Sequence, residues 1–132
     1  MASLKTKSSK KPSPRLALLV GTSKYGNQRV VVNGEKFRSK KEARRHGELL
    51  LLQRAGLVVG LVREVAFALA PGVKFSGDAR AKPALRYVAD FVYTDVALGR
   101  VVVEDCKGFR TDVYRMKRHL MLSVLGIEVA ES

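Results

Sequence analysis

The run Tyr87-Val88-Ala89-Asp90-Phe91-Val92-Tyr93, followed by Val101-Val102-Val103-Glu104-Asp105-Cys106-Lys107-Gly108, decides how this chain is read. β-branched and aromatic residues dominate both runs and suit a pleated, half-buried surface, so residues 85–95 and 100–107 read as strands. Leu98-Gly99 marks the turn between them. An antiparallel hairpin with Asp95 opposite Arg100 and a loop over 96–99 places Asp90 directly opposite Asp105. Residues so opposed share a face, with Cα atoms about 4.5–5.5 Å apart. Two carboxylates that close repel unless a cation bridges them or one is protonated. Alternation puts Asp105 and Lys107 on one face and Glu104 on the other, and a one-residue slip would exchange Glu104 for Asp105. Charges in strands this apolar are costly unless they meet an ion or a partner. Hard oxygen donors suit Mg²⁺ or Mn²⁺, and Lys107 can hold a phosphate or orient a water, which is the apparatus of metal-assisted phosphodiester hydrolysis.

Outward from the hairpin, Val58 to Leu69 predicts a further strand, and residues 71–84, with two prolines, predict a long mobile loop. Ser39-Lys40-Lys41-Glu42 is a capping box that opens a helix from Lys40 to about Ala55, closed by Gly56. Arg29 to Val32, Asn33-Gly34 and Glu35 to Phe37 predict a β-hairpin on a type I′ turn. After the central hairpin, residues 111–125 predict a helix with Val113, Met116, Leu120 and Val124 on its buried face; Gly126 ends it. Ile127-Glu128-Val129 predicts a last short strand. The expected class is α/β (α+β), with core order αβββαβ behind an N-terminal β-hairpin.

The chain of 132 residues suits one domain, and 46% hydrophobic residues can build a core. No apolar run approaches the ~20 residues of a membrane span, no signal-peptide pattern follows the basic N-terminus, and the single cysteine, Cys106, excludes an intramolecular disulfide and a cysteine-rich zinc site. The expectation is a soluble, cytoplasmic protein with no membrane partner. Charge is the distinctive property: 25 Lys and Arg against 12 Asp and Glu give +13, a self-repulsion usually offset by a polyanion. Residues 1–15 carry five cations and no acid and read as a flexible basic arm; residues 16–132 form the expected domain. Lys40, Lys41, Arg44, Arg45, Lys74, Arg80, Lys82, Arg110, Arg115, Lys117 and Arg118 are candidate nucleic-acid contacts. A solvated basic face explains the helix residues among them as well. His46 and His119 lack partners at metal-ligand spacing. Tyr87 and Tyr93 read as packing residues rather than base-stacking platforms, and Tyr25, in a loop, is open to either role.

Asp90, then Asp105-Cys106-Lys107 on the next strand, within this element order, resembles the PD-(D/E)XK, or restriction-endonuclease-like, nuclease superfamily. Ala89 stands where that superfamily has a loosely kept proline. The runs Lys24-Tyr25-Gly26-Asn27, Gly34 with Phe37-Arg38-Ser39-Lys40-Lys41-Glu42, Tyr87-Val88-Ala89-Asp90-Phe91, Glu104-Asp105-Cys106-Lys107-Gly108 and Tyr114-Arg115-Met116-Lys117 are also similar to a family of small phage and prophage endonucleases. The resemblance implies a mixed central sheet flanked by helices and a Mg²⁺ (or Mn²⁺) held by Asp90, Asp105 and the Cys106 carbonyl. It implies that Lys107 assists the attacking water and that Glu42 completes the carboxylate set, although the capping box explains Glu42 equally well. It implies DNA as substrate, by analogy branched or junction DNA as for Holliday junction resolvases, and a homodimer. The alternatives are a non-catalytic nucleic-acid-binding protein and a phage inhibitor of a host DNA-binding complex.

Overall fold

The computed structural model describes residues 29–132; the basic arm and the Lys24-Tyr25-Gly26-Asn27 run fall outside them. The chain groups into two compact units, the first ending at Gly47 and the second spanning Glu48–Ser132.

In the first unit β1 (Val30–Val32) and β2 (Glu35–Phe37) form the expected antiparallel hairpin, with Val30 opposite Phe37. Asn33 and Gly34 take φ values of 50° and 82°, the pair of positive φ angles a type I′ turn demands. α1 (Lys40–Arg54) starts here. The Ser39 hydroxyl accepts from the Glu42 N–H at 3.1 Å, and Glu42 Oε1 accepts from the Arg38 N–H at 3.0 Å. The box therefore closes one residue further back than the cap itself. The Phe37 ring lies 5.2 Å from that of His46, and both residues are buried.

The second unit holds β3 (Val58–Ala70), β4 (Leu85–Asp95), β5 (Arg100–Asp105), α2 (Asp112–Leu125) and β6 (Ala130–Glu131). They build a four-stranded sheet in the order β3-β4-β5-β6, antiparallel except for the parallel β5–β6 pair. The architecture is mixed α+β with an N-terminal hairpin, in the element order expected. The β4–β5 register is also the expected one, from Asp95 opposite Arg100 to Phe91 opposite Glu104. One core cluster gathers Leu69, Tyr87, Ala89, Val103, Tyr114, Met121 and Val129; a second gathers Leu49, Val58, Phe91 and Tyr93.

Strict alternation would place Tyr87, Ala89, Phe91 and Tyr93 on one face, yet the first two join one cluster and the last two the other. The change of phase falls at Asp90. Across the ladder, Arg63 faces Phe91 and Val65 faces Ala89, so Glu64 stands opposite Asp90, and Glu64 has φ 53°. A left-handed conformation in a long-side-chain residue costs on the order of 1 kcal/mol and persists only when its surroundings impose it. Glu64→Gly should therefore leave stability unchanged or raise it by up to about 1 kcal/mol, whereas Glu64→Val should lower it; chemical denaturation of the two variants checks this.

Two expectations fail in the C-terminal third. Val113, Met116 and Val124 were expected to be buried on α2, but they are exposed, and only Leu120 of that stripe is partly covered. The buried α2 residues are Tyr114 and Met121, two turns apart on a neighbouring stripe. A helical period defines which residues share a face but cannot choose between adjacent apolar stripes; the sheet chose the one whose tyrosine hydroxyl finds a partner. The last strand is Ala130–Glu131 rather than Ile127 to Val129, although Val129 is buried. Thr111 caps α2 by accepting from the Tyr114 N–H, and Gly126 ends it at φ 69°. The 71–84 segment is closed by a bridge in which the Val73 N–H donates to the Lys82 carbonyl at 3.1 Å. Gly72 permits this approach, since a Cβ there would lie 2.6 Å from that oxygen. Among the described residues no helix is long and apolar enough to cross a membrane.

Candidate active site

The β4–β5 ladder stops at Phe91 and Glu104, one step before Asp90 and Asp105. There β5 turns its pairing to β6, with Asp105 opposite Glu131. The parting of the strands leaves side chains to complete the hydrogen bonding. Asp90 Oδ2 accepts the Cys106 N–H at 2.9 Å, tying β4 to the chain just past β5.

Asp105 is only 1% exposed. Its Oδ2 accepts the Tyr87 hydroxyl at 2.6 Å and lies 3.1 Å from Lys107 Nζ. Its Oδ1 is buried and has no hydrogen-bond partner among the described residues. Leaving a carboxylate oxygen dry and unpartnered costs on the order of 1–3 kcal/mol. The Tyr87 hydroxyl is pushed far above its ordinary titration range, chiefly by burial, then by its bond to Asp105 and by the charges of Asp105, Tyr114 and Asp90. Both carboxylates therefore bear on one hydroxyl that stays protonated. Lys107 is partly exposed, and its Nζ lies 4.6 Å from the Tyr114 ring centroid, a cation–π contact. Lys107 thus meets a carboxylate on one side and an aromatic ring on another.

Asp105 and Lys107 are joined by an ion pair, and Asp90 bonds to the backbone of Cys106, the residue between them; the expected pairing of Asp90 with Asp105 lies one step beyond the end of the ladder. Glu104, the rival to Asp105, belongs to the other face, where its Oε1 accepts the Tyr93 hydroxyl at 2.6 Å. Glu42 lies in the first unit; it is buried, and its Oε1 accepts the Arg38 N–H in the cap of α1. Among the described residues no group of three His, Cys, Asp or Glu side chains is gathered to hold a metal. Two carboxylates, one with a buried oxygen that has no hydrogen-bond partner among the described residues, nevertheless fit Mg²⁺, which takes one or two protein carboxylates beside substrate phosphates.

A second polar cluster borders the first. The Arg110 guanidinium forms a fork on Glu131, donating from Nη2 to Oε1 at 2.8 Å and from Nε to both oxygens at 3.1 Å. The Tyr114 hydroxyl donates to Glu131 Oε2 at 2.8 Å, and Arg118 lies 3.6 Å from the same oxygen while donating to the Val129 carbonyl. Arg110 above all, then the Tyr114 hydroxyl and Arg118, hold the Glu131 carboxyl down from its ordinary 4.5 to about 2, against the opposing effect of burial. A carboxyl with a depressed folded value contributes stability above its ordinary range and loses it as pH falls from about 4.5 to about 2. Unfolding midpoints measured from pH 6 to pH 2 should fall more steeply for the native chain than for Glu131→Gln, with the two curves converging at the acid end.

Arg110, Arg115 and Arg118 line one cleft of about 410 Å³ with His119. Arg115 also pairs with Asp112 at 3.2 Å. Lys74, Arg80 and Lys82 are exposed on the bridged loop, where Lys82 lies 3.5 Å from Asp78. Lys117 is half-buried on α2; in the first unit Lys40, Lys41 and Arg44 are exposed and Arg45 is half-buried. Sequence reasoning missed three residues of the site: Tyr87, read as packing, and Tyr114 and Glu131, given no role. A buried tyrosine needs a partner for its hydroxyl, which was the available signal; Glu131 gave none, because its importance comes from the parallel β5–β6 pairing.

The fold and site define a small, strongly basic α+β protein that carries paired buried carboxylates and a lysine where two strands of its sheet part. The chain belongs to the family described as "Protein of unknown function (DUF1064)", whose model matches residues 22–124. No curated protein and no solved structure matches it.

Proposed function

We propose that the protein is a divalent-metal-dependent endodeoxyribonuclease that hydrolyses DNA phosphodiester bonds, as its resemblance to PD-(D/E)XK nucleases implies. The observation that carries the reading is the buried Oδ1 of Asp105, which has no hydrogen-bond partner among the described residues while Tyr87 and Lys107 hold the other oxygen. A buried anion so arranged is costly for folding alone and is offset when a cation is bound. In this reading Asp90 and Asp105 hold Mg²⁺ (or Mn²⁺), with the Cys106 carbonyl as a further donor. When bound, the ion supplies charge stabilisation to the phosphate and lowers the pKa of a water. Lys107 orients the attacking water or a phosphate oxygen, and Glu42 is the further carboxylate that the resemblance adds. The exposed cations of the 71–84 loop and the α2 cleft grip the DNA backbone, giving a steep salt dependence. Branched DNA and a homodimer are the substrate and assembly the resemblance favours, and the cytoplasm of a phage-infected or lysogenic cell is the setting.

A non-catalytic nucleic-acid-binding protein is the second reading, and one observation favours it: no third metal-ligating side chain joins Asp90 and Asp105 among the described residues. Incubation of the native chain, Asp90→Asn and Lys107→Ala with linear, branched and single-stranded DNA in Mn²⁺ separates the two. Nicking by the native chain alone, with DNA affinity retained by the variants, supports the nuclease. Binding without nicking by all three supports the second reading.

A further inference from the structure

Resting on that reading, we infer that Tyr87 is a positioning residue for the cation site: its hydroxyl pins one oxygen of Asp105 so that the other is presented to the metal. Asp105 has two oxygens in unlike settings. Oδ2 is engaged by the Tyr87 hydroxyl at 2.6 Å and Lys107 Nζ at 3.1 Å, while Oδ1 is buried with no hydrogen-bond partner among the described residues. A carboxylate turns about its terminal bond over a broad, shallow profile, so without an anchor the two oxygens would exchange. The anchor is rigid. Tyr87 is itself buried, lies on the central strand β4 and packs among Leu69, Ala89, Val103 and Tyr114. It bonds to Asp105 as an O–H donor to a carboxylate, a charge-assisted bond stronger than one between neutral groups. Outer partners of this kind fix ligand orientation, and their loss typically lowers metal affinity about 10–100-fold.

The molecule contains its own control. On the opposite face, Tyr93 donates to buried Glu104 at the same 2.6 Å, so Tyr93→Phe removes a like bond away from Asp105. Mn²⁺ binding to the full chain, measured by calorimetry without DNA, should weaken about tenfold or more in Tyr87→Phe and stay within about twofold of native in Tyr93→Phe. Thermal unfolding should show comparable losses of stability in the two variants. Native-like Mn²⁺ affinity in Tyr87→Phe, or equal weakening in both, overturns the inference while leaving the nuclease reading intact. Mn²⁺ affinity unchanged in Asp105→Ala overturns the metal site and the inference with it. Should Tyr87→Phe fail to fold, ¹³Cζ labelling of the native tyrosines decides: the Tyr87 resonance should move on Mg²⁺ addition and that of Tyr93 should not. A stationary Tyr87 signal in Mg²⁺-bound protein overturns the inference.

Discussion

In the proposed nuclease, Asp90→Asn should abolish DNA cleavage while leaving the fold at least as stable as the native one. Asparagine keeps an oxygen able to accept the Cys106 N–H, now at 2.9 Å from Asp90 Oδ2, so the tie between β4 and the end of β5 survives. The substitution deletes one of two negative charges that bear on the Tyr87 hydroxyl, and with it a like-charge repulsion. In the absence of metal that is neutral or stabilising. In the proposed metal site it would remove a charged ligand from the group that would stabilise the developing phosphate charge, a contribution of several kcal/mol, or about a thousandfold in rate. Single-turnover nicking and thermal unfolding on the same preparation measure both. Loss of activity together with loss of fold would reduce Asp90 to a structural residue, and full activity would remove it from the site.

Met121→Ala and Met116→Ala form the second test, because the two residues share a helix and differ only in where the sheet lies. Met121 is 0% exposed within the first core, whereas Met116 is 60% exposed. Truncating a buried methionine costs the lost transfer energy plus that of the cavity, about 2–5 kcal/mol. At an exposed position the cost is within about 0.5 kcal/mol. Chemical denaturation should therefore separate two chemically identical substitutions by at least about 1.5 kcal/mol. The reverse order would show α2 seated on the stripe of Val113, Met116, Leu120 and Val124 that its spacing suggests.

The local elements were legible because each carries its own punctuation. Asn33-Gly34 accepts the two positive φ angles of its turn, Ser39 and Glu42 close the start of α1, and Thr111 and Gly126 bound α2. The β4–β5 register was legible for the same reason: a four-residue loop between long apolar strands leaves little freedom in pairing, and the ladder follows that register as far as Phe91 and Glu104. What was not legible involves partners distant in the chain. The seating of α2 depends on a bond from Tyr114 to Glu131, 17 residues away, and the orientation of Asp105 on one from Tyr87, 18 residues away. No spacing rule encodes either.

The amino-acid sequence alone determined the order of elements, the hairpin register and the excess of positive charge, because these follow from residue-by-residue preference, turn chemistry and counting. Only the tertiary structure decided which stripe of α2 is buried and that one Asp105 oxygen is held by Tyr87 and Lys107 while the other has no hydrogen-bond partner among the described residues. Those choices are made by the closing of two cores on either side of a single sheet, where buried hydroxyls and carboxylates must find one another or remain unsatisfied.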